Sequence, residues 1–185
     1  MNDWQDDKAW SDRFLVEIKR LLGEYLIGPA PQEEDAEHNT DLIVLRMDAV
    51  RVACRVRRHE YLAEYCHQFT IREGRPSGTK TELTKVIEGW GRYLFYGIAD
   101  EAEQALATWA LIDLNVFRLW FNRELVRNRG IVPGELCPNK DNSSTFRAFT
   151  FCELPSDLCV ARQVGLEGSD VRSPVNGRVR DGMGF

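Results

Sequence analysis

Residues 40–58 read TDLIVLRMDAVRVACRVRR, and the pairing of this stretch decides the fold. Asp41–Arg46 and Val50–Arg57 are both rich in β-branched residues, and only a few residues separate them. That spacing predicts an antiparallel hairpin. Side chains of a strand alternate between its two faces. Val52, Cys54 and Val56 therefore share one face of the second strand, and Arg51, Ala53, Arg55 and Arg57 share the other. Residues 46–58 hold five arginines against one acid, Asp48, whereas residues 1–40 hold ten acids against four Lys or Arg. A local basic face on a chain of net charge −5 reads either as a polyanion site or as a solvated strand face.

Before this stretch, SDRFLVEIKRLLGEYLIG places Phe14, Ile18, Leu21, Leu22 and Tyr25 at helical spacing, with Gly28-Pro29 ending the run. The polar PAPQEEDAEHN that follows reads as an exposed loop. Beyond the hairpin, QFTIRE predicts a third strand, and TKTELTKVIEGWG a helix capped by Thr79 or Thr81. RYLFYGIAD is apolar almost throughout, as expected of a strand buried on both faces. ATWALIDL predicts another strand, and NVFRLWFNRELVRN a helix capped by Asp113 or Asn115. Residues 130–145 read as loop, FRAFTF as an edge strand and ELPSDLCVARQ as a short ordered piece. The element order α-β-β-β-α-β-β-α predicts an α/β (α+β) fold, with a central mixed five-stranded sheet flanked by helices.

The chain has 185 residues, 43% of them hydrophobic, enough for one good core. A single globular domain over 1–164 is expected, with a flexible glycine-rich tail over 165–185. No apolar run reaches the roughly 18 residues of a membrane span, and the acidic N-terminus has no secretory pattern. The five cysteines form no CxxC pair, so they read as reduced thiols of a cytoplasmic protein. Cys54, His59, Cys66 and His67 match no common zinc spacing.

The order of elements over residues 11–120 resembles the core of the restriction-endonuclease-like, PD-(D/E)XK, superfamily. That resemblance implies a Mg-dependent nuclease with Glu17 as the helix acid and Asp41 as the hairpin aspartate. Arg55-Val56-Arg57 stands where the family has E-x-K. An arginine cannot ligate Mg²⁺, because its guanidinium is a fixed cation without an acceptor lone pair. If the acid has moved to the next helix, Glu82 and Asp41 would hold the metal, with Lys85 approaching phosphate. Glu82 and Lys85, three apart on one helix face, read more simply as an exposed ion pair. The stretches QFTIREGRPSGTKTELTKVIEGWGRYLFYGIADE and WALIDLNVFR also resemble uncharacterised bacteriophage proteins.

Two functions follow as expectations. The first is a nucleic-acid-binding protein, with phosphate contacts from Arg55, Arg57, Arg72, Arg75 and Lys80. Within IREGRPSGTK, the last three sit on a loop that leads into a helix, either a phosphate cradle or an ordinary polar connection. The second is a catalytically inert phage factor that occupies a host protein, steered by its acidic N-terminal 40 residues. Trp90, Tyr93, Phe95, Tyr96 and Trp109 offer rings for base stacking, or simply core.

Overall fold

A computed structural model describes residues 4–29, 42–44, 50–139 and 143–163. Asp41, residues 45–49 of the expected hairpin and the expected tail lie outside the described residues. Two helices, α1 (Trp4–Asp12) and α2 (Leu15–Leu26), lead into β1 (Ile27–Pro29), which pairs antiparallel with β2 (Leu42–Val44). Then come β3 (Val52–Arg57), a 3-10 turn at His59–Tyr61, the short α3 (Leu62–Tyr65), β4 (Gln68–Gly74) and α4 (Glu82–Ile87). Next are β5 (Tyr93–Ala99), β6 (Leu106–Asp113) and α5 (Leu114–Arg127). The last strands are β7 (Glu135–Pro138), β8 (Thr145–Thr150) and β9 (Cys159–Gln163).

The mixed α+β composition is as expected, but the strands are not joined in one five-stranded central sheet. A four-stranded sheet has the order β3-β5-β6-β9, and a three-stranded one the order β4-β8-β7. The physical reason lies in the apolar faces of β4 and β8. Phe69, Ile71 and Phe149 are buried in the same cluster as Leu94, Tyr96 and Ile98 of β5 and Phe117 of α5. The second sheet therefore packs over the core instead of extending its edge. Phe149 sits at 5.0 Å from Phe117 and 5.3 Å from Phe69 between ring centroids. Each such ring, fully buried, contributes about 1.5–3 kcal/mol.

β5 is buried on both faces, as its composition predicts. Its other face, with Phe95 and Ala99, packs with Trp109 and Leu111 of β6 against Phe14, Ile18 and Leu21. The layers thus run α2, four-stranded sheet, then α4, α5 and the three-stranded sheet.

The hairpin expectation needs correction. Among the described residues, β2 pairs with β1, whereas β3 lies at the sheet edge, parallel to β5, with Arg55 opposite Tyr96. FRAFTF is no edge either: β8 is the central strand of its sheet, between β4 and β7, and β7 arises from residues read as loop. Asp113 does cap α5, its Oδ1 accepting from the backbone N–H groups of Asn115 at 2.7 Å and Val116 at 3.3 Å. Thr81 occupies the N-cap position of α4 without a side-chain cap bond. No helix among the described residues is long and apolar enough to cross a membrane.

Candidate anion-binding site

Alternation along β3 sends Val52 and Val56 to the α2 side of the sheet and Arg55 and Arg57 to the other side. There the arginines meet β4, α4 and β8. Arg55, with 17% of its side chain exposed, donates from Nη1 to Glu82 Oε2 at 2.9 Å. Its guanidinium also lies 4.7 Å from the Phe146 ring centroid. Arg57 donates to Thr70 Oγ1 at 3.0 Å and stacks 3.8 Å from the Tyr61 centroid. Thr70 Oγ1 in turn lies 3.3 Å from the Tyr96 hydroxyl. Arg72, opposite Phe146 in the β4–β8 register, places its guanidinium 5.3 Å from the same ring.

Arg55 and Arg72 thus share the Phe146 ring, Arg57 lies two residues along β3 on the Tyr61 ring, and of the three guanidiniums Arg55 alone bonds the Glu82 carboxylate. Glu82 Oε2 takes a second bond, from the backbone N–H of Arg72 at 3.1 Å. Among the described residues, neither Arg57 nor Arg72 has a carboxylate partner, and Arg72 Nε is buried with no hydrogen-bond partner. A guanidinium on a ring face gains cation–π attraction without losing its charge, so among the described residues the cluster sets three guanidiniums against the single carboxylate of Glu82. On the opposite face of the same sheet, Arg147 and Glu73 close on each other through two parallel bonds of 2.8 and 3.0 Å. That pair is self-contained; the Arg55–Arg57–Arg72 cluster is not.

The other expected residues fall elsewhere. Arg75 is exposed in a turn in which its carbonyl accepts from the Gly78 N–H at 3.1 Å. Lys80 is held by both oxygens of Glu88, at 2.7 and 2.9 Å. The cradle reading of this loop gains no support, because Glu82 already brings its negative charge to the first turn of α4. Lys85 is exposed, and Glu82 pairs with Arg55 rather than with it.

Among the described residues, the carboxylates do not assemble a metal site. Glu17 lies on α2, across the sheet from α4, and its Oε2 accepts from the backbone N–H of Leu106 at 3.0 Å. Glu82 is engaged by a guanidinium, and Asp41 lies outside the described residues. No group of three or more His, Cys, Asp or Glu side chains able to hold a metal occurs among the described residues, and this includes Cys54, His59, Cys66 and His67. Of the two residues the resemblance implies for Mg²⁺, Glu82 alone is among the described residues, and a cation beside it would face the Arg55 guanidinium.

Tyr61 and Phe146 were not legible as site residues. Phe146 had one signal, the alternation of FRAFTF, which sets it and Ala148 on the face opposite Phe149. Their meeting with the arginines requires the three-stranded sheet. The chain matches no protein-family model, no curated protein and no solved structure. Class and site therefore rest on the geometry: a mixed α+β protein whose edge strand carries arginines over an aromatic-bearing second sheet.

Proposed function

We propose that the protein binds nucleic acid through the β3 face, with Arg55, Arg57 and Arg72 at the centre and Arg75 on the flanking turn. The observation that carries this reading is the pair of half-buried guanidiniums, Arg57 and Arg72, without carboxylate partners among the described residues. Holding cations against a core is costly unless an anion offsets them, and backbone phosphates supply one. Cleavage is left out of the function, because the described carboxylates do not converge. The likeness to restriction-endonuclease-like proteins would then concern the scaffold alone, and a phage origin would stand as part of the same proposal.

The test is a titration of labelled DNA and RNA between 50 and 200 mM salt. Affinity should fall steeply, and Arg57→Gln with Arg72→Gln should reduce the salt slope by about 1.4–1.8. The Lys replacements should restore most of the slope, which separates lost charge from lost fold. Affinity flat across that range, or unchanged in the double Gln variant, rules against the proposal.

A second reading, a factor that occupies a host protein, draws on a different surface. The outer side of α5 and the turn after it expose Leu119, Val126 and Ile131 beside the exposed Arg123 and Arg127. Apolar groups among arginines suit a protein partner. A stoichiometric protein lost on Val126→Asp, with no nucleic acid bound, would favour this reading.

A further inference from the structure

Of the five rings considered for base stacking, Phe95, Tyr96 and Trp109 are core, and Tyr93 packs against it. Trp90 alone stands clear, 60% exposed, in the turn after α4. This ring is not on a frayed end. The Trp90 N–H donates to the Lys85 carbonyl at 3.0 Å, and the Trp90 carbonyl accepts from Arg118 Nη2 at 3.0 Å. The same guanidinium donates to the carbonyls of Gly91 and Val86, each at 2.6 Å. Gly89 and Gly91 flank Trp90 with φ of 100° and 76°, which L side chains rarely adopt, so the shape of this turn requires glycine on both sides of the ring. Burial of a tryptophan is strongly favourable, yet here a hydrogen-bonded turn holds the ring in solvent.

The surroundings are cationic. Lys85 and Arg51 are exposed, and among the described residues neither has a carboxylate partner. The Arg51 carbonyl accepts from the N–H groups of Arg92 and Tyr93, at 2.8 and 3.3 Å, which ties the start of β3 to the turn after Trp90. At the other end of α4, Glu82 is tied to Arg55. β3 and α4 therefore lie side by side, with the Arg57–Arg72 cluster at one end and Trp90 at the other. Arg57 lies six residues beyond Arg51 along an extended chain, about 20 Å at ~3.3 Å per residue. A few nucleotides of an extended single strand span that distance.

We infer that Trp90 is a base-stacking platform and that the ligand is single-stranded nucleic acid, with Lys85 and Arg51 on the neighbouring phosphates. This rests on the polyanion function proposed above and names its substrate class. An unpaired base offers a free π-face to an exposed indole, whereas a duplex keeps its base faces stacked inside.

The experiment is a fluorescence-anisotropy titration of a labelled 12-nucleotide oligothymidine and a labelled 12-base-pair duplex. The full chain is compared with Trp90→Ala and Trp90→Phe. Single-strand affinity should fall five- to hundredfold in Trp90→Ala and largely survive in Trp90→Phe. The salt slope should stay unchanged, since no charge is removed, and duplex binding should be unaffected. Equal melting temperatures would show that the exposed substitution leaves the fold intact. Unchanged single-strand affinity in Trp90→Ala, or equal losses for both oligonucleotides, overturns the stacking role. Wild-type binding to the duplex alone overturns the substrate class and leaves the polyanion function standing. Binding to neither oligonucleotide overturns both.

Discussion

Glu82 and Arg55, 27 residues apart in the chain, meet at 2.9 Å with 30% and 17% of their side chains exposed. The bond fastens the first turn of α4 to the middle of edge strand β3. It also sets a carboxylate on the Arg55 guanidinium, where an incoming phosphate would compete for the same donors.

Glu82→Gln should act on stability and binding in opposite directions. Stability should drop by about 1–3 kcal/mol, because Arg55 loses a charged partner at a largely desolvated position. Nucleic-acid affinity should rise, since the internal competitor for Arg55 is gone. Chemical denaturation measures the first and the oligonucleotide titration the second; affinity that falls with stability would contradict the competition.

Arg118→Ala removes the donor that serves the carbonyls of Val86, Trp90 and Gly91. The C-terminal end of α4 then depends on water for those acceptors, at a cost of about 1–3 kcal/mol. Hydrogen exchange should accelerate over 86–91 more than over β5. Uniform acceleration across the chain would mean that Arg118 acts only on global stability.

Gly134→Ala should destabilise by about 3 kcal/mol or more. Its φ is 88°, and an added Cβ would approach the Ala148 carbonyl oxygen and the Phe149 ring to 2.7 Å each. Urea denaturation measures this, and a loss under 1 kcal/mol would show that the 132–134 segment yields without disturbing β8.

The five thiols are free and differ in environment. Burial pushes the Cys159 thiol up from its ordinary range, and nearby Arg162 offsets only part of that rise. Raising the pKa keeps the unreactive S–H form to higher pH. At pH 8, iodoacetamide should label the exposed Cys152 well before Cys159, whose rate should keep climbing above pH 9. Mass spectrometry of timed digests checks the order.

Glu103 ties the N-terminal helix to the β5–β6 turn. It accepts from Trp10 Nε1 at 2.7 Å and Arg58 Nη1 at 3.3 Å, while its backbone holds a φ of 52°. Glu103→Ala should free α1 to faster proteolysis while β5 and β6 stay protected, because the sheet core makes no use of that carboxylate. Equal exposure of both regions would assign Glu103 to the core instead.

Much of the local structure was legible from residues 68–127. The helical repeat of α5, the continuous apolarity of β5 and the Asp113 cap depend on neighbours a few residues away, and each stands in the structure. The two faces of β3 were legible for the same reason. What failed was every choice between distant partners. A strand edge offers the same N–H and C=O groups to any other strand, so nothing within 40–58 distinguishes an antiparallel hairpin from parallel pairing with β5. Glu82 had a local partner in Lys85 at helical spacing, yet it pairs with Arg55, where less water screens the attraction.

The sequence by itself determined helices α2, α4 and α5, strands β3, β4, β5, β6 and β8, and that arginines share one side of β3. Only the tertiary structure decided that β4 and β8 form a second sheet over the core. That packing brings Phe146 beneath Arg55 and Arg72 and sets Glu17 on the far side from Glu82. Periodicity is a property of one segment, whereas burial and pairing are set by what the rest of the chain places against it.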